Sequence, residues 1–272
     1  MNPIKDIAAQ IRYTLCQVSQ QTRTPHLGSC LSSIDVLVSL YWNHLNIDPK
    51  QPNKEDRDYF LLGKGHAASA IYTTLAYKGF FPKADLFEHG KTGSVFEEHP
   101  GIHAPAGIET VSGSLGHALS LAAGMALSCK VQNKNNQFYV LMGDGEINEG
   151  TVWEAAMFAA GKKLNNLVAI VDFNKLQGTG ASCEIMHLEP LEKKWEAFGW
   201  HTIRVDGHDL EALDSAFNQA KNIDGPVCIV ADTVKGKGIS FMENDNNWHY
   251  RIPTEEEVLQ AGRELGLSEE LL

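Results

Sequence analysis

No stretch of the 272-residue chain approaches the ~20 consecutive apolar residues of a membrane helix, which excludes a membrane-spanning role. Positive charge is scarce as well. Lys and Arg number 23 against 34 Asp and Glu, a formal charge of −11. So acidic a chain is not built to hold a phosphate backbone, which excludes nucleic acid as the main partner. One local site can still take a small anion. There is no C-x-x-C pair. The five cysteines, Cys16, Cys30, Cys129, Cys183 and Cys228, are scattered and odd in number. That pattern predicts reduced thiols rather than a disulfide scaffold. The opening MNPIKDIAAQIRYTL is amphipathic and lacks the apolar centre of a secretory signal, so the expected location is the cytoplasm. Internal repeats, low-complexity tracts and an internal linker are absent too, which predicts one domain over residues 1–272.

What is present is alternation. Residues 1–20 carry Ile4, Ile7, Ala8, Ile11, Leu15 and Val18 at helical spacing. A second helix is predicted from Ser33 to about His44, stopped by NIDPKQP. DYFLLGKGHAASAIYTTLAYKG reads as strand, glycine turn and helix. Residues 81–113 form a long Gly-, Pro- and His-rich stretch, and loops of that length inside a compact domain are usually functional. SLGHALSLAAGMALSCKV follows as an apolar helix. Then come a buried strand (QFYVLM), a helix (EGTVWEAAMFAAGKKL) and a second buried strand (NLVAIVDF). Continuous apolar strands flanking a helix describe a βαβ unit in a parallel sheet. WHTIRVDG, DLEALDSAFNQAKN and PVCIVAD repeat the pattern, and Thr254 opens a last helix with a capping box, Thr-Glu-Glu-Glu. The expected fold is α/β, a doubly wound, mostly parallel sheet flanked by helices. Trp153 and Met157 are helix-spaced and expected in its core.

In such sheets ligands bind beyond the carboxyl ends of the strands. Gly143-Asp144-Gly145 stands at one such end and Asn174 at the next. A carboxylate and an amide oxygen suit Mg²⁺ or Ca²⁺, and Mg²⁺ commonly completes its shell with phosphate oxygens. The glycines let backbone N–H groups approach a phosphate. The alternative is a capped turn before a helix. A dinucleotide-binding loop fits less well, because Asn148 stands where its third glycine is needed. Glu146 reads as a favourable charge in a first helical turn.

G-D-G, then 28 residues, then Asn174 resembles the signature of thiamine diphosphate enzymes. The surrounding motifs narrow the resemblance to transketolases: PHLGSCLSSIDVLVSLY, LLGKGHAASAIYTTLA, EEHPGI, GIETVSGSLGHALSLAAGMA, GDGEINEGTVWEAAMFA, VDFNKLQ and VKGKGISFMEN. They run collinearly from about residue 10 to 255. The chain is similar to the N-terminal, diphosphate-binding half of a transketolase, encoded as a separate subunit. The resemblance implies thiamine diphosphate and Mg²⁺ as cofactors, with Ca²⁺ or Mn²⁺ able to fill the same oxygen set. It also implies a partner chain carrying the pyrimidine-binding and C-terminal domains, self-association into an α₂β₂ assembly, and a sugar or sugar-phosphate substrate.

By the same resemblance, Asp144, Asn174 and the Leu176 carbonyl hold the metal, and Gly145 donates its N–H to the diphosphate. Gly113 lets the cofactor lie close to the backbone, and Leu115 packs near its aminopyrimidine. Four of the eleven histidines match family positions. His66 contacts the diphosphate and the reacting region, while His26, His99 and His249 face the substrate. Imidazole suits these tasks because it gains and loses protons near neutral pH. The His-Pro pair favours His99 over His103. Glu149 matches a glutamate linking two cofactor sites across a subunit interface. Two residues depart from the family: Glu98, where glycine usually precedes His-Pro, and His117, where glutamine usually follows GSLG. Both put the sugar pair in doubt more than the reaction. The competing readings are another thiamine diphosphate enzyme, such as a 1-deoxyxylulose 5-phosphate synthase-like or 2-oxoacid dehydrogenase-like subunit, or a non-catalytic scaffold subunit.

Overall fold

Side chains on a strand alternate between faces, so a strand that is apolar at every position can bury both sides of a sheet. The computed structural model describes residues 3–270, and these form five strands and ten α-helices. The strands are β1 (Tyr59–Leu62), β2 (Phe138–Gly143), β3 (Leu167–Phe173), β4 (His201–Asp206) and β5 (Val227–Asp232). All pairings are parallel, in the order β1-β2-β3-β5-β4. Tyr139, Leu141, Ile170 and Ile229 face one core with helices α1 (Pro3–Thr22), α2 (Leu27–Ser32), α3 (Ile34–Ser39), α4 (Ala68–Lys78), α9 (Leu210–Ala220) and α10 (Glu255–Glu264). Phe138, Val140, Met142 and Val171 face the other core with α5 (His117–Val131), α6 (Gly150–Gly161) and α8 (Leu191–Ala197). Truncating one such buried Leu or Ile to Ala costs about 2–5 kcal/mol.

The helix expected from Ser33 to about His44 is present, with Ser33 as the N-cap of α3 and the last turn wound differently. The Ser33 hydroxyl donates to the Ser29 carbonyl at 3.1 Å, satisfying a backbone group locally where α2 gives way to α3. α3 then widens into a π turn over Leu40–His44, where the Leu45 N–H donates to the Leu40 carbonyl at 3.0 Å. Neither α7 (Ser182–Ile185) nor α8 was anticipated, since helices of four and seven residues show too little periodicity. The capping box at α10 forms: Thr254 Oγ1 accepts from the Glu257 N–H at 3.2 Å, and Glu257 Oε2 accepts from the Thr254 N–H at 2.9 Å.

Met157 does not belong to the core. It is 55% exposed on the outer face of α6, beside Phe158. Helical spacing places a residue on a face but does not say whether that face is covered. Trp153 is partly buried, with its ring centroid 5.1 Å from that of Trp195 and its indole N–H donating to the Ile147 carbonyl at 2.9 Å. The long stretch 81–113 is largely loop, as expected, and is pinned. Arg57 pairs with Glu109 at 2.5 and 2.8 Å, and the Tyr72 hydroxyl donates to the Glu97 carbonyl at 3.1 Å. A buried ion cluster ties α1 to α3 and the loop after β4. Arg12 donates to Asp35 at 3.1 and 2.6 Å, and His208 Nδ1 lies 2.8 Å from the same carboxylate. No helix among the described residues is long and apolar enough to cross a membrane.

Candidate active site

Parallel strands end on one side, so β1, β2, β3 and β5 deliver the segments after them to a common rim. β1 delivers Lys64 and His66, β2 Asp144, β3 Asn174, and β5 the segment leading to Lys235. Together with Ser29, Leu115, Leu176 and His249, the residues after β1, β2 and β3 surround a cavity of about 250 Å³. The backbones there approach too closely for side chains. A Cβ on Gly65 would stand 1.7 Å from the Ser112 carbonyl oxygen.

Asp144 is 2% exposed. It accepts hydrogen bonds from Ser182 Oγ at 2.7 Å and from the Gly145 N–H at 2.9 Å, and no ion pair reaches it among the described residues. Burial pushes its carboxyl up to about 6, against the pull of the Ser182 bond. Asn174 is also buried. Its Nδ2 donates to Asp172 Oδ2 at 3.3 Å and its Oδ1 accepts from the Leu176 N–H at 3.1 Å, which fixes the orientation of the amide. A second lone pair on Oδ1 remains. No group of three His, Cys, Asp or Glu able to hold a metal exists among the described residues. The donor set consists instead of one unneutralised carboxylate, one oriented amide oxygen and the backbone at Leu176. Those few hard oxygens fit a divalent cation that takes its remaining ligands from water and phosphate.

Behind this set lies a charge pair that sequence reasoning missed. Lys64, 1% exposed, donates to the Ser29 carbonyl at 2.7 Å and to Asp172, which is fully buried. Asp172 also accepts from Ser32 Oγ at 2.6 Å and from Thr233 Oγ1. Burial alone would raise its pKa, but Lys64 and the hydroxyls hold it below the usual carboxylate range. The only sequence signal was a lysine lodged between the glycines of LLGKGH. Glu146 stands at the start of a short helical turn after β2, as expected, but it is 2% exposed, accepting from the Gly116 N–H at 3.0 Å and the Gly143 N–H at 3.2 Å. Burial pushes it up to about 7. It clamps the turn preceding α5 to the end of β2, a long-range contact that local pattern does not announce.

On the other side of the cavity the histidines gather. Ring centroids of His26 and His249 lie 4.8 Å apart, His26 and His66 5.3 Å, His66 and His249 5.4 Å, and His26 and His99 6.3 Å. His26 has a left-handed backbone, φ 70°, and its N–H donates to the His249 carbonyl at 2.9 Å, joining opposite ends of the chain. His249 Nδ1 lies 3.2 Å from Lys235 Nζ, which also donates to Asn246 at 2.7 Å. Burial lowers His26, drives His66 well down and, together with Lys235, brings His249 to about 4. Burial also brings the Lys235 ammonium down to about 8. His26, His66 and His249 are therefore favoured as neutral imidazoles, which can accept as well as donate.

Of the residues expected at a site, Asp144, Gly145, Asn174, Leu176, His66, Leu115 and His249 line the one cavity, and His26 and His99 join it through the histidine cluster. His103 is exposed. Gly113 and Glu149 lie outside the cavity lining and are exposed, Gly113 near His99 and Glu149 as the N-cap of α6.

Comparison with known proteins identifies this architecture. The family model for the transketolase thiamine diphosphate-binding domain matches residues 4–271. The chain belongs to the transketolase family. It is 44% identical over 241 residues to a protein of Clostridium sp. named as a 6-deoxy-6-sulfo-D-fructose transketolase subunit, covering 88% of each. It is 39% identical over 255 residues to a protein of Phocaeicola vulgatus named as one subunit of an apulose-4-phosphate transketolase, covering 93% of this chain and 90% of that one. Human transketolase is 39% identical over 251 residues, but only 40% of its length is covered. The crystal structure of Campylobacter jejuni transketolase superimposes with a TM-score of 0.93 at 28% identity, over 98% of this chain and 43% of that one. The chain is thus a transketolase subunit. Its cavity lies in a thiamine diphosphate-binding domain.

Proposed function

We propose that the chain is the diphosphate-binding subunit of a two-chain transketolase. It moves a two-carbon ketol unit from a phosphorylated or sulfonated ketose to an aldose. The observation that carries this reading is the placement of Asp144 and Asn174 at adjacent strand ends, facing a histidine cluster across one cavity. Asp144, Asn174 and the Leu176 carbonyl would hold Mg²⁺, or Ca²⁺ or Mn²⁺ in its place, and Gly145 and His66 would meet the diphosphate. When bound, thiamine diphosphate supplies the electron sink that lets the carbon–carbon bond beside a carbonyl break. Leu115 and Gly113 would flank the ring system. His26, His99 and His249 would hold the sugar hydroxyls and move protons at their oxygens, and the burial of His26 and His249 keeps competing water away.

Several features support a partner chain. Relatives of matching length are named as subunits, and the cavity has no carboxylic acid besides Asp144 and Glu146 among its lining residues. Leu121 on α5 and Met157 and Phe158 on α6 expose apolar surface on the helices next to Glu149, which suits a contact between chains. We assign the assembly as α₂β₂, with Glu149 at the contact between copies, and its location as the cytoplasm, where five unpaired cysteines persist.

The test mixes the purified chain with a candidate C-terminal partner, thiamine diphosphate and Mg²⁺, then measures cofactor binding by isothermal titration and ketol transfer by product analysis. Cofactor binding with transfer supports the reading. Binding without transfer points to another thiamine diphosphate reaction, and absence of both to a scaffold subunit.

A further inference from the structure

One carboxylate stands over the histidine cluster. Glu98, in the pinned loop, places Oε1 3.6 Å from His26 Nε2, and its side chain is 47% exposed where that of His26 is 10%. The groups facing His26 come from every segment around it: His99 from the same loop, His66 from the turn after β1, His249 and Tyr250 from the late loop, and Lys235 from the segment after β5. Burial of His26 opposes a positive charge on it, and so do His99 and the Lys235 ammonium. Glu98 is the charged side chain among them that favours one. The other ring nitrogen, Nδ1, is buried without a hydrogen-bond partner. Nε2 is therefore the nitrogen that holds a proton toward the outside of the cluster.

We propose that Glu98 is a positioning residue for His26: its carboxylate keeps the proton on Nε2, so that His26 presents a hydrogen-bond donor to a sugar hydroxyl or carbonyl oxygen. Without Glu98, burial, His99 and Lys235 would lower His26 further, with neither tautomer of the neutral ring preferred. The geometry of the pair stands by itself, and only the identity of the substrate oxygen rests on the proposed function. The exposure of Glu98 has a further consequence. Its charge stays at the mouth of the site, where it repels an anionic group and accepts from a hydroxyl. The part of the substrate that meets this wall is then a neutral polyol segment.

The experiment follows the histidine Cε1–H resonances of the full chain by NMR across a pH titration, with His26 assigned from the His26→Gln variant. In Glu98→Gln, the His26 pKa should fall by about one unit, the low end of what an opposite charge at this range produces. Glu98→Asp should recover most of that shift, and His44, remote from the pair, should titrate as before. An unchanged His26 titration in a folded Glu98→Gln chain overturns the proposal. Should that variant fail to fold, Glu98→Ser is read in the same way. The measurement needs no cofactor, partner or sugar, so a chain that shows the shift but transfers no ketol unit when mixed with its partner chain, thiamine diphosphate and Mg²⁺ refutes the proposed function and leaves the pairing intact.

Discussion

Two buried aspartates stand almost side by side at the rim of the sheet. Asp172, near the end of β3, is the register partner of Gly143 on β2, and Asp144 is the next residue along. Asp172 is met by a lysine, two hydroxyls and the Asn174 amide, all from this chain, and its pKa lies below the usual range. Asp144 is met by one hydroxyl and one N–H and by no cation, and its pKa is pushed up to about 6. A buried charge neutralised from within holds the fold together. One left without a cation costs stability, which is the signature expected of a group that serves binding rather than the fold.

The largest effect should come from undoing the internal pair. Asp172→Ala leaves Lys64 buried and unpaired and should cost about 3–5 kcal/mol in denaturant unfolding of the metal-free chain. Asp144→Ala should change that stability by less than about 1 kcal/mol, since it removes an unneutralised buried charge. It should nonetheless abolish Mg²⁺-dependent retention of thiamine diphosphate in the assembled enzyme. Equal unfolding costs for the two variants would break the comparison.

Gly65→Ala sharpens it from the backbone side. The added methyl collides with the Ser112 carbonyl, and the two loops must part, which should cost about 2–3 kcal/mol and weaken cofactor binding as well. Retained melting temperature and affinity would show that the loops yield freely.

The histidine wall should show itself in pH. His249 is held neutral down to about 4 in the folded chain, while an unfolded histidine takes its proton near 6.5. Its folded pKa is depressed, so stability present above about pH 6.5 is lost as pH falls toward about 4. Allowing for solvent that reaches the ring, the loss should be about 2 kcal/mol. His249→Gln should flatten the unfolding profile over that window, and a slope unchanged from wild type would assign the pH dependence to other groups. The smallest effect belongs far from the site. Thr254→Ala removes the α10 cap and should cost about 1 kcal/mol without touching cofactor affinity. A change in affinity there would mean that the late helix and the cavity are coupled.

Much of this is legible in the amino-acid sequence. Apolar runs located β2, β3 and β5, because a strand buried on both faces must be largely apolar, and Gly143, Asp144 and Asn174 stood out where such runs end. The capping box at Thr254 is a four-residue device and was legible for that reason. What escaped notice was short or distant. α7 and α8 hold too few turns to show a period, Met157 sits on a helix face that spacing alone could not show to be uncovered, and Glu146 looks like any first-turn glutamate until the Gly116 turn folds over it.

The sequence by itself therefore determined the alternation of strands and helices, the glycine-flanked carboxylate at a strand end and the caps, all set by interactions within a few residues. The tertiary structure alone decided which charges meet. Lys64 reaches Asp172 past the strand between them, His26 bonds to His249 from the other end of the chain, and Glu98 comes to rest over His26. These pairings follow from strand order and loop closure, and a buried charge takes its meaning from whichever partner the fold brings within a few ångströms of it.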